Sequence, residues 1–306
     1  MAAVSRARLL PTLSLVITVF APVVAHAQNG RPLSLTAESV LLLDPAGRAV
    51  FEKNADAERA PASLVKLMTI YLTCADIDAG RADLDEIVIV SPHAATRPRY
   101  RMGIRAGERV PLRVLLEGVA IASANDAATA LAEHLDGDEA AFVGRMNVRA
   151  QALGLSGTRF ANPHGLPDPE QRSNARDMAV LTARLLDDCA MSRTLLGGQT
   201  FIFRGRVYSR HIPLFSDPGG VQALKTGFTN EAGYNLAVSA WRDGQQFLMV
   251  LLGARTRSLS FVDARKLLRY GFVEAGIETP RPESPRKRAP PRRPVRTRRT
   301  GTGTSR

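Results

Sequence analysis

The chain has 306 residues, 45% of them apolar, and a formal net charge of +12 at pH 7. That apolar content supports a sizeable core and excludes a globally disordered chain, and the length suits one large domain or two modest ones. The charge is uneven along the chain. Residues 281–306 hold ten Lys or Arg against one acid, Glu283, which is a net of +9 and leaves +3 for the rest.

The amino terminus has the pattern of a secretory signal peptide. Arg6 and Arg8 precede an apolar stretch over residues 9–24, and Ala25-His26-Ala27 follows as a small-x-small cleavage site. We expect cleavage after Ala27, which leaves an exported protein of the periplasm or cell envelope. An uncleaved segment would instead anchor the chain in a membrane. No later stretch has the length of a membrane span.

The predicted elements change in character along the chain. The first two thirds of the chain predict strands over 38–44, 49–52 and 84–90. They also predict helices over 64–72, 110–135 with a break at 122–125, 139–153 and 176–187. The last third predicts strands over 201–203, 221–227, 234–241 and 247–254 and a closing helix over 261–270. This order indicates an α+β fold: one antiparallel sheet with the two ends of the chain side by side, flanked by helices, with an all-helical lobe inserted. A site is expected in the cleft between the two parts.

Export permits a disulfide, and the chain has two cysteines, Cys74 and Cys189. Both lie in apolar, helix-like stretches, so we predict buried thiols, with a disulfide between them as the alternative. No group of Cys and His residues has the spacing of a metal site. We therefore expect neither a metal ion nor a cofactor.

The first candidate motif runs from Ser63 to Lys66 and begins the first predicted helix. Residues three apart on a helix are neighbours, so Lys66 is expected beside the Ser63 hydroxyl. Burial among apolar residues lowers the pKa of a lysine, which suits it to act as the base that activates a serine nucleophile. The Ser63 amide, at the positive end of the helix, would donate to an oxyanion. In the plainer alternative Ser63 only caps the helix and Lys66 reaches solvent.

Two further motifs accompany the first. Ser123-Ala-Asn125 lies at the break between two predicted helices, where Ser123 would relay a proton to a leaving amine and Asn125 would hold substrate backbone. Lys225-Thr226-Gly227 lies on a predicted strand. Its lysine and threonine suit an anionic group, and its glycine allows substrate to lie close. The amide of Phe228 would complete an oxyanion hole with that of Ser63. The plainer alternative for this triplet is an ordinary surface strand.

Taken in this order, the three motifs resemble the set found in class A β-lactamases and penicillin-binding proteins, whose middle motif has Asp where this chain has Ala124. Over residues 37–272 the chain resembles the serine-type D-Ala-D-Ala carboxypeptidases, the low-molecular-mass penicillin-binding proteins that trim peptidoglycan stem peptides. It shares with them the segments 61–63, 123–128, 160–166 and 225–229. The resemblance implies a β-lactamase/transpeptidase-like fold and a catalytic domain over residues 28–280.

The resemblance also implies a role for each motif residue. Ser63 would form an acyl-enzyme with the penultimate D-Ala, with Lys66 as base, and water would then hydrolyse the ester. Ser123 and Asn125 would act as relay and substrate clamp, and Lys225 with Thr226 would hold the terminal carboxylate. A β-lactam would acylate the same Ser63.

The chain departs from the family pattern in two places near the site. Ser260 stands at the start of the closing helix, where members of the family typically have an arginine. In this chain Arg257 would take the role of that arginine. Ser209-Arg210-His211 stands where an Asn-x-Asn pair is usual.

From the resemblance we expect residues 281–306 to follow the catalytic domain directly, in place of the C-terminal β-domain and amphipathic anchor of many relatives. Their arginines and prolines predict a disordered tail. Its expected partner in an exported protein is an anionic lipid or an acidic wall polymer, with a tail without any fixed partner as the alternative. Nucleic acid is not expected, because it belongs to another compartment.

Other functions remain open from the sequence. A β-lactamase on the same fold would need a glutamate that activates the deacylating water, and Glu170 is the candidate. A non-catalytic peptidoglycan-binding module, a transpeptidase and an endopeptidase are further alternatives. Of the histidines, His164 lies in a Pro/Gly loop and is interpreted as structural, since Ser63 already has Lys66 within reach.

Overall fold

A five-stranded antiparallel sheet organises the computed structural model, which describes residues 33–98, 100–217 and 219–277. The spatial order is β2-β1-β9-β8-β7. These strands are β1 (Ser39–Leu43), β2 (Ala49–Lys53), β7 (Val221–Thr229), β8 (Gly233–Arg242) and β9 (Gln245–Ala254). Because β1 pairs with β9, the beginning and end of the domain lie side by side, which confirms the predicted arrangement. The predicted signal peptide and basic tail lie outside the described residues.

Both faces of the inner strands β1, β8 and β9 are buried, which explains why these three strands are largely continuous apolar runs. Successive side chains of a strand point to opposite faces. Leu41 and Val250 therefore belong to the core shared with the helical lobe, and Val40 and Met249 to a second core. The second core is closed by a helix, α8 (Arg257–Glu274), which is longer than the predicted 261–270.

The inserted helical lobe is built from seven helices among the described residues. They are α1 (Lys66–Asp78), α2 (Pro92–Ala95), α3 (Leu112–Glu117), α4 (Asn125–Asp136), α5 (Glu139–Ala152), α6 (Ala175–Asp188) and α7 (Ser192–Gly197). Short polar side chains begin several of them, as Asp138 and Asn174 each accept a hydrogen bond from a first-turn amide. Helices α1, α4 and α6 supply much of the apolar interior.

Two short ribbons complete the lobe. One pairs β3 (Ile87–Ile89) with β4 (Arg109–Pro111), and the other pairs β5 (Thr200–Phe203) with β6 (Arg206–Ser209). Val110 was predicted to begin a helix and lies instead on β4, where it is buried opposite Val88. A local apolar pattern does not reveal such a pairing, because the partner is more than twenty residues away.

The prediction of buried thiols at Cys74 and Cys189 is wrong. The two residues form a disulfide across 115 residues of sequence, and both are buried as expected. The bridge arises because α1 packs against α6, and Cys189 immediately follows the last turn of α6. It therefore joins α1, the helix that begins at Lys66, to the end of α6.

None of the helices within residues 33–98, 100–217 and 219–277 combines the length and the apolar character that crossing a membrane demands.

Candidate active site

Ser63 lies in a tight turn that leads into α1. The turn is a 3-10 segment, Ala62–Val65, and α1 begins at Lys66. The α-helix therefore begins about one turn later than the sequence predicts, because Ser63 was expected in its first turn. Ala62 has a φ of 49°, a left-handed conformation that costs free energy for a residue with a side chain. Strain of this kind immediately before Ser63 is characteristic of functional sites.

Lys66 is fully buried directly beside this turn. Its Nζ donates to the Ser63 hydroxyl at 3.3 Å, to Asn125 Oδ1 at 2.7 Å and to the backbone carbonyl of His164. Burial lowers the pKa of Lys66 to about 7, although the nearby Asp126 carboxylate opposes the shift. The amine is thus held among oxygens with a pKa that permits it to accept a proton near neutral pH.

Asp126 is a functional residue that the sequence analysis did not assign. Its carboxylate has no exposed surface and accepts hydrogen bonds from the amides of Met102, Gly103, Ile104 and Ala127, at 2.8–3.2 Å. It therefore fixes the segment before β4 against the start of α4 and places a negative charge near Lys66. The sequence shows an aspartate directly after Ser123-Ala-Asn125, but it does not show that this aspartate is buried.

Ser123 ends a π-helical segment over residues 118–122 and adopts a left-handed conformation with φ of 55°. The break in the helix that the sequence predicted is therefore real. It directs the Ser123 hydroxyl toward β7, where Lys225 Nζ donates to it at 2.8 Å. Asn125 follows as the first residue of α4, so a single helix start supplies contacts to both buried lysines.

Lys225, Thr226 and Gly227 lie on β7, the edge strand that faces the Ser63 turn. Lys225 is buried, and its pKa lies well below the usual lysine value because of burial and of repulsion from Lys66 and Arg210. A methyl group at Gly227 would lie 3.1 Å from the Ser63 amide nitrogen, closer than ordinary packing allows. Glycine is thus needed here for the approach of β7 to the turn, as well as for any substrate.

Arg210 is a second residue whose position the sequence did not reveal. Its guanidinium donates to backbone carbonyls of Leu196, Gly198 and Leu224 and is tied to no carboxylate in the described part of the chain. Burial lowers its pKa to about 10. Arg210 thereby connects the end of α7 to the residue before Lys225 and adds positive potential to the cleft.

Ser260, which stands where members of the family typically have an arginine, is a buried packing residue. Ser260 is buried and its hydroxyl donates to the Arg257 carbonyl, at 2.7 Å. The Arg257 side chain donates to the carbonyl of His211 at 2.6 Å, which ties it to the residue after Arg210. Of these two arginines, Arg210 is the one whose charge bears on Lys225.

The structure also locates the residues of the alternatives. Glu170, the candidate of the β-lactamase alternative, is exposed and forms an ion pair with Arg159 at 2.8 Å. Among the described residues, the hydrogen bonds of Ser63 and Lys66 involve no carboxylate. His164 is buried and contributes its carbonyl to Lys66.

The structure thus links Ser63, Lys66 and Asn125 through one set of hydrogen bonds and Ser123 with Lys225 through a second, and Ser123 precedes Asn125 by only two residues. Ser63 and Lys225 lie 162 positions apart in the sequence. A hydroxyl next to a buried amine of lowered pKa, with a second hydroxyl held by a second lysine, is suited to nucleophilic acyl transfer. The class of site that the fold and the geometry define is that of a serine acyl-transfer enzyme.

Comparison with known proteins places the chain more narrowly. Residues 24–256 match the D-alanyl-D-alanine carboxypeptidase family, and the chain belongs to that family. The carboxypeptidase DacC of Escherichia coli K12 is 37% identical over 263 residues, which cover 83% of this chain and 66% of that protein. DacF of Bacillus subtilis is 32% identical, with 87% of this chain and 71% of that protein covered.

Solved structures agree with this placement. Penicillin-binding protein 5 of Haemophilus influenzae superimposes with a TM-score of 0.76 at 34% identity, over 79% of this chain and 72% of that one. The predicted α+β, β-lactamase/transpeptidase-like fold is therefore confirmed. The chain spans 61–66% of the length of the first Escherichia coli relatives that it matches.

Proposed function

We propose that this protein is a serine D-alanyl-D-alanine carboxypeptidase, which removes the terminal D-Ala from peptidoglycan stem peptides and is acylated by β-lactams at the same residue. The observation that carries the proposal is the Lys66 amine, buried 3.3 Å from the Ser63 hydroxyl with its pKa lowered to about 7. Membership of the carboxypeptidase family supplies the substrate class.

In the proposed reaction Lys66 takes the Ser63 proton as Oγ attacks the carbonyl carbon of the terminal D-Ala-D-Ala bond. The amides of Ser63 and Phe228 hold the resulting oxyanion. Ser123, oriented by Lys225, relays to the leaving amine the proton that Lys66 took from Ser63, so Lys66 returns to its neutral form, D-Ala departs and an ester to Ser63 remains. Asn125 and Gly227 position the substrate backbone, and Lys225 with Thr226 attracts its terminal carboxylate. Water then hydrolyses the ester and restores the serine.

The direct test incubates the purified protein with a pentapeptide that ends in D-Ala-D-Ala and measures released D-Ala. A labelled penicillin, followed by peptide mapping, locates the adduct. We expect D-Ala release and an adduct on Ser63, with both lost in Ser63→Ala and both kept in the control Ser156→Ala, whose side chain is exposed in the turn that follows α5. An adduct elsewhere, or release by Ser63→Ala, contradicts the proposal.

The same experiment separates the alternatives. Rapid turnover of penicillin would indicate a β-lactamase. The ion pair between Glu170 and Arg159 argues against that alternative, because it occupies the carboxylate that would have to activate water. Binding of peptidoglycan without D-Ala release or adduct would indicate a non-catalytic module.

A second candidate activity is endopeptidase cleavage of cross-links. A D-alanyl-D-alanine endopeptidase of Pseudomonas aeruginosa is 30% identical and is covered over 82% of its length. The two reactions share the acyl-enzyme and differ in whether the leaving group is free D-Ala or a cross-linked peptide. Comparison of rates on a pentapeptide and on a cross-linked muropeptide dimer decides between them.

The proposal includes an exported location, in the periplasm or cell envelope, after cleavage behind Ala27. It also includes contact of residues 281–306, net charge +9, with anionic lipid or wall polymer. Sequencing of the amino terminus of protein isolated from cells tests the first part. Removal of residues 281–306 tests the second, with loss of salt-sensitive binding to envelope material expected and unchanged Ser63 labelling as the control.

A further inference from the structure

The folded domain carries its own concentration of positive charge beside the cleft, apart from residues 281–306. We propose that this surface docks on a bilayer rich in anionic phospholipid, with a β-hairpin that places two aliphatic side chains among the headgroups. The surface, here named the arginine rim, consists of Arg101, Arg105, Arg109, Arg204 and Arg206.

The charge of the rim is largely uncompensated. Its five arginines are exposed, and they surround one acid, Glu108, which pairs with Arg204 through Nε at 2.6 Å. Within residues 33–98, 100–217 and 219–277, no carboxylate forms an ion pair with the other four. Five positive charges less one negative charge leave the rim with a net charge of +4, which attracts an anionic partner.

Two separate segments form this one surface. Arg101, Arg105 and Arg109 precede or occupy β4, whereas Arg204 and Arg206 lie at the tip of the β5–β6 hairpin. The segments are joined because Tyr208 on β6 donates its hydroxyl to the Met102 carbonyl at 2.6 Å. The first segment reaches the active site, since the Asn125 amide donates to the Tyr100 carbonyl at 2.6 Å. The rim therefore borders the cleft.

The hairpin adds an apolar component. Ile202 and Val207 lie directly opposite each other on the two strands and are 67% and 59% exposed. The alternate positions point inward, where Phe201 stacks on Tyr208 with ring centroids 4.9 Å apart. The hairpin thus displays an aliphatic pair on its outer face, while Arg206 lies over the Tyr208 ring on the inner face and Arg204 lies in the turn at the tip.

This combination selects the partner. Positive charge alone would suit any polyanion, including an acidic wall polymer, but such a polymer offers no environment for exposed aliphatic side chains. The interface of an anionic bilayer accepts both cationic groups and apolar side chains. The proposal uses the exported location proposed above and does not depend on the carboxypeptidase reaction.

The test compares two probes on the full chain. Ile202→Cys and Val148→Cys are each labelled with an environment-sensitive fluorophore, because both native side chains are 67% exposed and both native cysteines are in the disulfide. With phosphatidylglycerol-containing vesicles we expect a blue shift and an intensity rise for the probe at 202 and none for the probe at 148 on α5. Pure phosphatidylcholine vesicles should change neither.

Charge variants complete the test. Arg101→Gln, Arg109→Gln and Arg206→Gln should each weaken vesicle binding about fivefold, whereas the exposed Arg269→Gln on α8 should not. Thermal unfolding verifies that each variant is folded. A silent probe at 202, equal responses at 202 and 148, or rim variants that bind vesicles like the parent chain would each overturn the proposal. So would rim variants that lose binding only to isolated peptidoglycan, which would assign the surface to a wall polymer.

Discussion

At the scale of single residues, Lys66 combines two opposing influences. Complete burial favours its neutral form, and the Asp126 carboxylate favours its charged form. The balance, a pKa of about 7, leaves a substantial neutral fraction at physiological pH without removing the basicity that proton abstraction needs.

This balance predicts the pH dependence of acylation. Only neutral Lys66 can accept the Ser63 proton, so the rate of penicillin labelling at low penicillin concentration should rise about tenfold per pH unit below the pKa and level off above it. Labelling rates measured from about pH 5 to pH 9 test this. Lys66→Arg, which keeps the charge but cannot lose its proton, should be inactive throughout. An inflection near the ordinary lysine pKa would contradict the prediction.

Gly227 permits a second prediction at this scale. In Gly227→Ala the added methyl group meets the Ser63 amide and the Pro61 carbonyl, both 3.1 Å away, so β7 must move from the turn. We expect penicillin acylation to fall at least about tenfold, because a displacement well under 1 Å is costly at a reacting centre.

Gly144→Ala serves as its matched control. That glycine lies within α5 with no atom near its added methyl group, so alanine should stabilise the protein by about 0.5–1 kcal/mol and leave acylation unchanged. Equal acylation rates in Gly227→Ala and the parent chain would show that β7 tolerates the methyl group.

Sequence reasoning reached the residues whose relation is local. Ser63 and Lys66 are three apart, so helical geometry alone predicts their contact. The His164 carbonyl lies 98 residues beyond Lys66, and the burial of Asp126 and Arg210 depends on segments brought together only by folding. No periodicity in the sequence encodes such contacts.

At the scale of elements, the disulfide has the largest predicted effect on stability. It closes a loop of 115 residues, for which the chain-entropy treatment gives about 4–5 kcal/mol of stabilisation at 25 °C. Cys74→Ser with Cys189→Ser should therefore lower the free energy of unfolding by about that amount. Denaturant titration measures it, with the parent chain under reducing conditions as a second comparison. Coincident unfolding curves would exclude the stabilising role.

The elements that the sequence predicted well are the long ones. The sequence predicts strands β7 to β9 and helices α5 and α6 because each carries an apolar pattern over seven or more residues. The four-residue helix α2, the three-residue strand β4 and the six-residue helix α7 escaped prediction. Segments this short are not long enough to show a hydrophobic periodicity, so tertiary contacts decide their conformation.

At the scale of the whole molecule, the sheet separates two cores, and α8 closes the smaller one. Phe272 on α8 is buried and meets Phe247 on β9 edge to face, with centroids 5.1 Å apart. Phe272→Ala should lower the free energy of unfolding by about 3–5 kcal/mol, since it removes this contact and leaves a cavity.

Val262→Ala is the matched control for Phe272→Ala. Its side chain lies on the same helix but is 38% exposed, so the expected loss is below about 1 kcal/mol. Chemical unfolding of both variants measures the difference. Equal losses would mean that α8 contributes through its surface and not through the core.

The pairing of β1 with β9 determines when the active site can form during folding. Leu41 finds its neighbour Val250 more than two hundred residues later, and β7, whose glycine presses on the Ser63 turn, enters the sheet only through β8 and β9. A growing or partly threaded polypeptide that still lacks β9 cannot assemble this order of strands. The reactive centre is therefore a product of the last stage of maturation, and an incomplete chain carries all three motifs without being able to use them.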